Sequence, residues 1–357
     1  MLYALLMAGG SGTRFWPESR AKMPKQLINI VDDRTMIQAT VRRIASLIPH
    51  GRIMVVCGLP HQQEIRRQLP SIPDNMIVAE PKALNTAPCI ALAACKLLKR
   101  DPKAIMAVLP SDHTIGNVGR FLNILNAAHT VAAKGEALIT FGIVPDRPET
   151  GYGYIECGEL LEKADSQPVY RVNRFVEKPD LQRAMGYVKE GNYLWNSGMF
   201  VWKASAIMEA FKIHLPRIAA AADKMLTALN GPSEEEAVRD AYEDMDSVSI
   251  DYGILEKADN VLVMPADVQW NDVGSWNALK KVWENDPDGN AFRGKLLSVQ
   301  SRDCIVSSKH KLTTLIGVED LIIVDTPDAL MVCRKDRAQD VKILQGILKD
   351  QGHEGLL

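Results

Sequence analysis

The chain has 357 residues, of which 46% are hydrophobic and 24% charged, with a formal net charge of −2; this length suits one large domain and a smaller one. Its charges are interspersed, so no basic face points to nucleic acid. The six cysteines (Cys57, Cys89, Cys95, Cys157, Cys304, Cys333) are scattered, lack any CxxC or metal-like spacing and lie mostly in apolar runs, which favours a reducing, cytoplasmic compartment.

Residues 2–7 are an apolar run, too short for a signal peptide or a membrane span, and they read as a buried strand. The run opens into Ala-Gly-Gly-Ser-Gly-Thr-Arg-Phe-Trp-Pro-Glu-Ser-Arg-Ala-Lys-Met-Pro-Lys at 8–25, a glycine loop carrying Arg14, Arg20, Lys22 and Lys25. Glycines let backbone N–H groups converge on an anion, and cations add charge-assisted bonds to the same target. Two common phosphate loops fail on spacing. A dinucleotide fingerprint needs a third glycine where Phe15 stands, and a P-loop needs Gly-Lys-Ser/Thr where this chain has Gly-Thr-Arg. An ordinary strand–loop turn explains the glycines but not the cations that follow them.

Strands are expected over 3–7, 52–57, 76–79, 104–109 and 137–142, and helices over 35–48, 61–68, 86–99 and 120–134. This alternation predicts a doubly wound α/β fold with a mostly parallel sheet. Such sheets bind ligands beyond the carboxyl ends of their strands, where the glycine loop and Pro110-Ser111-Asp112-His113 both fall. Asp112 is either a ligand to a hard cation such as Mg²⁺ or a turn cap, and His113 reads as structural.

Strands follow at 151–155, 170–178 and 196–202, then helical stretches over about 203–245. Phe175-Val176-Glu177-Lys178-Pro179 ends a strand with an acid beside a base, which either meets a ligand or forms a surface pair. Leu194-Trp195-Asn196-Ser197-Gly198-Met199 holds an amide suited to sugar hydroxyls, or else a tight turn. Trp270-Asn271-Asp272-Val273-Gly274-Ser275-Trp276 offers a second carboxylate, itself a possible cap. Together with the glycine loop and its cations, the two carboxylates point to phosphoryl or nucleotidyl transfer, which needs a metal on the phosphates and cations on the leaving group. Asp286-Pro287-Asp288-Gly289-Asn290 marks a boundary. Short apolar runs at 296–299, 304–306, 312–316, 321–324 and 329–332, roughly nine residues apart, suggest a sheet coil closed by a helix over 338–349.

The ordered set resembles the sugar-nucleotide pyrophosphorylases, and within them the mannose-1-phosphate guanylyltransferases. It comprises GGSGTRFWPESRAKMPKQ at 9–26, EPKALNTAPCIALAA at 80–94, LPSDH at 109–113, TGYGYIE at 150–156, FVEKP at 175–179, WNSGMFVW at 195–202, SIDYGILEKA at 249–258 and WNDVGSW at 270–276. The resemblance implies a nucleotidyltransferase domain over 1–285 and a short left-handed β-helix-like domain over 290–357. It implies that Gly9, Gly10, Gly12, Asn85 and Thr86 bind the nucleotide, and that Arg14 and Lys25 hold the triphosphate and the departing pyrophosphate. Asp112 and Asp272 are then the Mg²⁺ ligands. Gly153, Glu177 and Asn196 contact mannose, and Lys178 its phosphate. Leu84 stands where relatives often carry Arg, so that contact is missing or reassigned.

The implied reaction is attack of mannose 1-phosphate on the α-phosphorus of GTP, with no general base because the nucleophile is already ionised. Guanine needs acceptors, and Glu80 is a candidate by position alone. No room remains for the isomerase domain of bifunctional relatives, so transferase activity alone is expected. A homodimer is compatible with an edge-exposing all-β appendage. The rival readings are another nucleotide and sugar pair, a catalytically silent regulatory homologue, and a nicotinamide-dependent oxidoreductase. Retention of Arg14, Lys25, Asp112 and Asp272 argues against the second, and Phe15 against the third.

Overall fold

Leu2–Ala8 is apolar and buried along almost its whole length, as a central strand covered on both faces must be. The computed structural model describes every residue except Ser11. Two compact units are formed: Met1–Gly9, Val41–Ser111 and Ile115–Trp270 make the first, while Gly10–Thr40, Asp112–Thr114 and Asn271–Leu357 make the second. Membership does not follow chain order, since the glycine loop from Gly10 onward and the Asp112 turn group with the C-terminal residues.

In the first unit the described residues form a nine-stranded sheet. Its order is Ile77–Glu80, Ile53–Gly58, Leu2–Ala8, Ile105–Pro110, Tyr193–Lys203, Leu138–Ile143, Val261–Pro265, Gln167–Val176 and Tyr154–Ala164. The first four strands are mutually parallel. Tyr193–Lys203 and Gln167–Val176 run against their neighbours. The expected doubly wound, mostly parallel sheet is therefore present, with these two strands reversed. One reversal is a hairpin: Asp165 and Ser166, at φ 47° and 66°, join Tyr154–Ala164 to Gln167–Val176, the positive-φ pair that a two-residue hairpin turn requires. Val261–Pro265 is a strand beyond those expected, and the helical stretch over 203–245 resolves into Ala204–His214, Pro216–Ala228 and Glu234–Asp244.

In the second unit Ala291–Val299, Ile305–Ile316 and Leu321–Asp325 pair in parallel, and Leu330–Arg334 returns antiparallel. Parallel neighbours in a flat sheet need a crossover of about a dozen residues. Here Ala291 is in register with Ile305 and Val299 with Ile316. A link from Val299 to Ile305 reaches only about 20 Å, less than the roughly 30 Å of a straight nine-residue strand. The strand must bend back on itself, which makes a coil. Gly294 is the bend: its φ is +113°, the register shifts after it, and a Cβ there would collide with the Ser308 carbonyl oxygen.

The runs expected at 304–306 and 312–316 are one continuous strand. Two of its polar residues are buried because they are bonded: Ser307 Oγ donates to Glu18 Oε1 (3.1 Å) and Ser308 Oγ to Asp325 Oδ2 (3.2 Å), while Lys309, His310 and Lys311 are exposed. The closing helix is Val341–Asp350. Val341, Leu344 and Leu348 pack into the cluster that contains Phe15, Trp16, Val273 and Trp276. Phe15, the residue that breaks the dinucleotide fingerprint, is thus a core anchor, 5.3 Å from the Trp276 ring.

Candidate functional site

The second unit gathers the loop cations and both candidate metal carboxylates. Gly12 has φ 60°, and a Cβ on it would stand 2.6 Å from the backbone nitrogen and Cβ of Lys25. Only glycine lets the loop approach this closely. The Gly10 carbonyl accepts from Gln26 Nε2 (3.0 Å), and that of Gly12 accepts from Ser19 Oγ (2.7 Å) and Phe15 N (3.0 Å). Lys25, only 4% exposed, donates from Nζ to Asp112 Oδ2 at 3.0 Å and to the main-chain oxygen of Asp272 at 2.6 Å.

Burial would raise the Asp112 carboxyl, but the Lys25 ammonium, with His113 and the Lys25 hydrogen bond, holds it below the ordinary carboxylate value. His113 Nε2 lies 3.8 Å from Asp112 Oδ1. Asp272 Oδ1 accepts from Gly274 N (3.2 Å), and the next residue, Val273, is held at φ 47°, a costly conformation for a β-branched side chain. Arg14 is exposed, and its Nη1 is 3.5 Å from the Gly274 carbonyl. These groups line a cavity of about 310 Å³ with Gly12, Thr13, Phe15 and Lys342. Among the described residues no cluster of three metal-ligating side chains occurs. Two carboxylates fit an ion that takes its other ligands from phosphates and water, as Mg²⁺ does.

The first unit holds the remaining candidates. Gly153 admits no side chain, because a Cβ would strike Glu177 Oε2 and come within 3.2 Å of the Asn196 Cβ. Asn196 N donates to Gly153 O (2.8 Å), so the two residues are fixed together. The Asn196 amide is largely spent inside the protein: Oδ1 accepts from Thr140 Oγ1 and Gly198 N, both at 3.2 Å, and Nδ2 donates to Asp251 Oδ1 at 2.8 Å. One amide hydrogen is left for a ligand.

Glu177 Oε2 is buried without a hydrogen-bond partner, while Oε1 pairs with Lys178 Nζ at 3.0 Å. Burial would lower the Lys178 ammonium, but the bond to Glu177 and its charge raise it. Burial first, then the charge of Glu177, pushes Asp251 up to about 7. No role for Asp251 follows from the sequence, although its segment is among the matching motifs. It opens a π-turn, Asp251–Leu255, where a carboxylate reads as ordinary helix surface.

Asn85 and Thr86 begin the helix Thr86–Arg100. Asn85 stands at φ 72°, ψ −166°, a region that only glycine occupies freely. Its Oδ1 accepts from Thr86 N (2.9 Å), and Thr86 Oγ1 accepts from Ile250 N (2.8 Å), one residue before Asp251. Gly9 faces Glu80, whose Oε2 would lie 3.8 Å from a Cβ there. Glu80 accepts from Tyr242 Oη (3.0 Å), and burial raises its carboxyl to about 7 against that bond. Leu84, the departure from the resembling motif, is buried. Arg14, Lys25, Asp112 and Asp272 thus gather in one unit, and Gly153, Glu177, Lys178 and Asn196 in the other.

A family described as nucleotidyl transferase matches residues 3–289, and one described as a MannoseP isomerase/GMP-like beta-helix domain matches 294–345. A mannose-1-phosphate guanylyltransferase of Klebsiella pneumoniae is 40% identical over 98% of this chain and 74% of its own length. One of Escherichia coli is 40% identical with the same coverage. A crystal structure from Thermus thermophilus, described as a mannose-1-phosphate geranyltransferase, is 31% identical and superposes with a TM-score of 0.89 over 98% of this chain and 99% of that one.

Proposed function

The chain belongs to the mannose-1-phosphate guanylyltransferase family of nucleotidyl transferases, and from that premise we propose that it transfers GMP from GTP to α-D-mannose 1-phosphate, giving GDP-mannose and pyrophosphate. The observation that carries the reading is Lys25, buried and bonded to Asp112 and Asp272 beside a glycine loop. That arrangement suits a polyphosphate whose leaving group must be stabilised. Residues 1–285 would supply the transferase chemistry and 290–357 the β-helix-like part.

Gly9, Gly10 and Gly12 hold the nucleotide and its phosphates, with Asn85 and Thr86 near the nucleoside. Arg14 stabilises charge on the departing pyrophosphate, and Lys25 fixes the Asp112 and Asp272 segments beside it. Asp112 and Asp272 would hold Mg²⁺, which would supply neutralisation of the phosphate charge. A phosphate oxygen of the sugar phosphate attacks the α-phosphorus in line, the bond to the bridging oxygen breaks, and that oxygen leaves with pyrophosphate. The nucleophile is ionised at neutral pH, so His113 has no proton to take. Glu177 Oε2 and Asp251 offer acceptors to mannose hydroxyls, Asn196 one donor, and Lys178 a cation for the phosphate. Gly153 leaves room for Glu177 and Asn196 to come together.

Removing one preorganised contact of this kind costs about 10²–10³ in rate. Lys25→Ala should lose that much turnover at saturating Mg²⁺ and GTP, and Asp112→Ala or Asp272→Ala at least as much. Near-normal turnover in any of them removes that residue from the site. The deciding measurement is pyrophosphate release across a matrix of nucleoside triphosphates and sugar 1-phosphates. GTP with mannose 1-phosphate should be the best pair, and a different best pair would overturn the substrate assignment. Six free cysteines support a reducing, cytoplasmic setting; among the described residues no helix is long and apolar enough to cross a membrane. An exposed apolar face on the coil supports a homodimer.

A further inference from the structure

Lys342 is the second residue of the helix Val341–Asp350, exposed and immediately after buried Val341. It lines the same cavity of about 310 Å³ as Gly12, Arg14, Lys25, Asp112 and Asp272. Resting on the reading that this cavity takes a triphosphate, we propose that Lys342 is a further pyrophosphate-binding cation, supplied by the C-terminal helix.

Charge accounting in the cavity supports this role. Its side chains include three full cations, Arg14, Lys25 and Lys342, and two carboxylates, Asp112 and Asp272. Lys25 is already matched by Asp112 at 3.0 Å. Lys342 belongs to none of the ion pairs found among the described residues, and the Arg14 guanidinium reaches a main-chain carbonyl at 3.5 Å. Three cations against two carboxylates leave one positive charge in excess, and Arg14 and Lys342 are the two whose cationic groups stand in no ion pair with a carboxylate; an incoming polyanion forms short, charge-assisted bonds to such groups.

Position is secured independently of charge. Val341, Leu344 and Leu348 pack with Phe15 and Trp16, which directly follow Arg14 in the chain. Trp16 Nε1 donates to the Leu356 carbonyl at 2.8 Å, a second tie between the loop and the C-terminal segment. The helix thus holds Lys342 at a fixed place against the glycine loop.

Lys342 is exposed, so Lys342→Ala and Lys342→Arg should fold, which circular dichroism checks. Two readings are taken on the full chain: the KM of inorganic pyrophosphate in pyrophosphorolysis of GDP-mannose, and its Kd by calorimetry without sugar nucleotide. Lys342→Ala should raise both about tenfold, the scale of one charge-assisted bond. Lys342→Arg should restore most of the loss, and the KM of mannose 1-phosphate should not move. Values for Lys342→Ala within twofold of wild type on both readings overturn the proposal. Wild-type protein that binds pyrophosphate in a Lys342-dependent way yet turns over no GDP-mannose would sink the substrate reading and leave this inference standing.

Discussion

Asn85 occupies a backbone region that is nearly exclusive to glycine, and the exposed side chain gains little packing in return. Strain of this kind costs about 1–3 kcal/mol and persists where function requires the geometry. Asn85→Gly should relieve it, while the lost cap to Thr86 N costs only a few tenths of a kcal/mol. The variant should melt higher and turn over GTP more slowly, by differential scanning calorimetry and pyrophosphate release; a lower Tm would remove the strain argument. Glu80 gives a second residue-scale test. Its carboxyl is raised to about 7 in the folded protein against 4.5 ordinarily, chiefly by burial. Between those values the unfolded chain releases a proton that the folded one keeps, so stability is full below 4.5 and falls as pH rises through 7. The loss should approach roughly 3 kcal/mol by pH 8. Glu80→Gln preserves an acceptor for Tyr242 and should flatten that decline in urea melts at pH 5, 6, 7 and 8. An unchanged slope would show that Glu80 does not set it.

At the scale of elements, the coil depends on one bend. Gly294 combines φ +113° with a collision of any Cβ against the Ser308 carbonyl, and a main-chain oxygen cannot rotate aside as a side chain can. Gly294→Ala should therefore destabilise by about 2–4 kcal/mol, a backbone and overpacking penalty together, seen as a lower midpoint in urea denaturation. A shift under about 0.5 kcal/mol, the size of an ordinary surface substitution, would mean the strand is not bent there. The regular elements were legible because their signal is local: the apolar runs at 2–7 and 104–109 declare buried strands by themselves. The glycine loop was legible because a missing side chain is visible in sequence. What could not be read was tertiary. Nothing in the chain order says that Lys25 bonds both Asp112 and the main chain of Asp272, since those partners lie 87 and 247 residues away. Asp251 sits in a π-turn and Lys342 on an amphipathic helix, so each looked like solvent-facing charge. Ser307 to Lys311 interrupt the apolar pattern and split one strand into two, because three of them are exposed and the burial of Ser307 and Ser308 depends on Glu18 and Asp325.

For the molecule as a whole, the apolar face of the coil bears on assembly. Residues paired across parallel strands project to the same side of the sheet, and Val299 is in register with Ile316. Leu297, Val299, Leu312 and Ile316 are 57%, 49%, 60% and 74% exposed. The same register puts Lys295 opposite Leu312 and Thr314 opposite Leu297 on that face, and exposed apolar side chains gathered on one face, rimmed by polar ones, mark an interaction site. A net charge of −2 over 357 residues puts little electrostatic repulsion between two copies, and a twofold interface brings the same strip to itself. The wild-type chain should therefore run as a dimer in sedimentation velocity at micromolar concentration. Leu312→Glu combined with Ile316→Glu should run as a monomer, because four carboxylates would face one another across the twofold. Both side chains are largely exposed, so the double variant should keep the wild-type far-ultraviolet circular dichroism spectrum. Its GTP turnover should also persist, since neither residue lines the cavity around Lys25. A dimer that survives both substitutions would place the interface elsewhere, and a monomeric wild type would leave this face without a second copy.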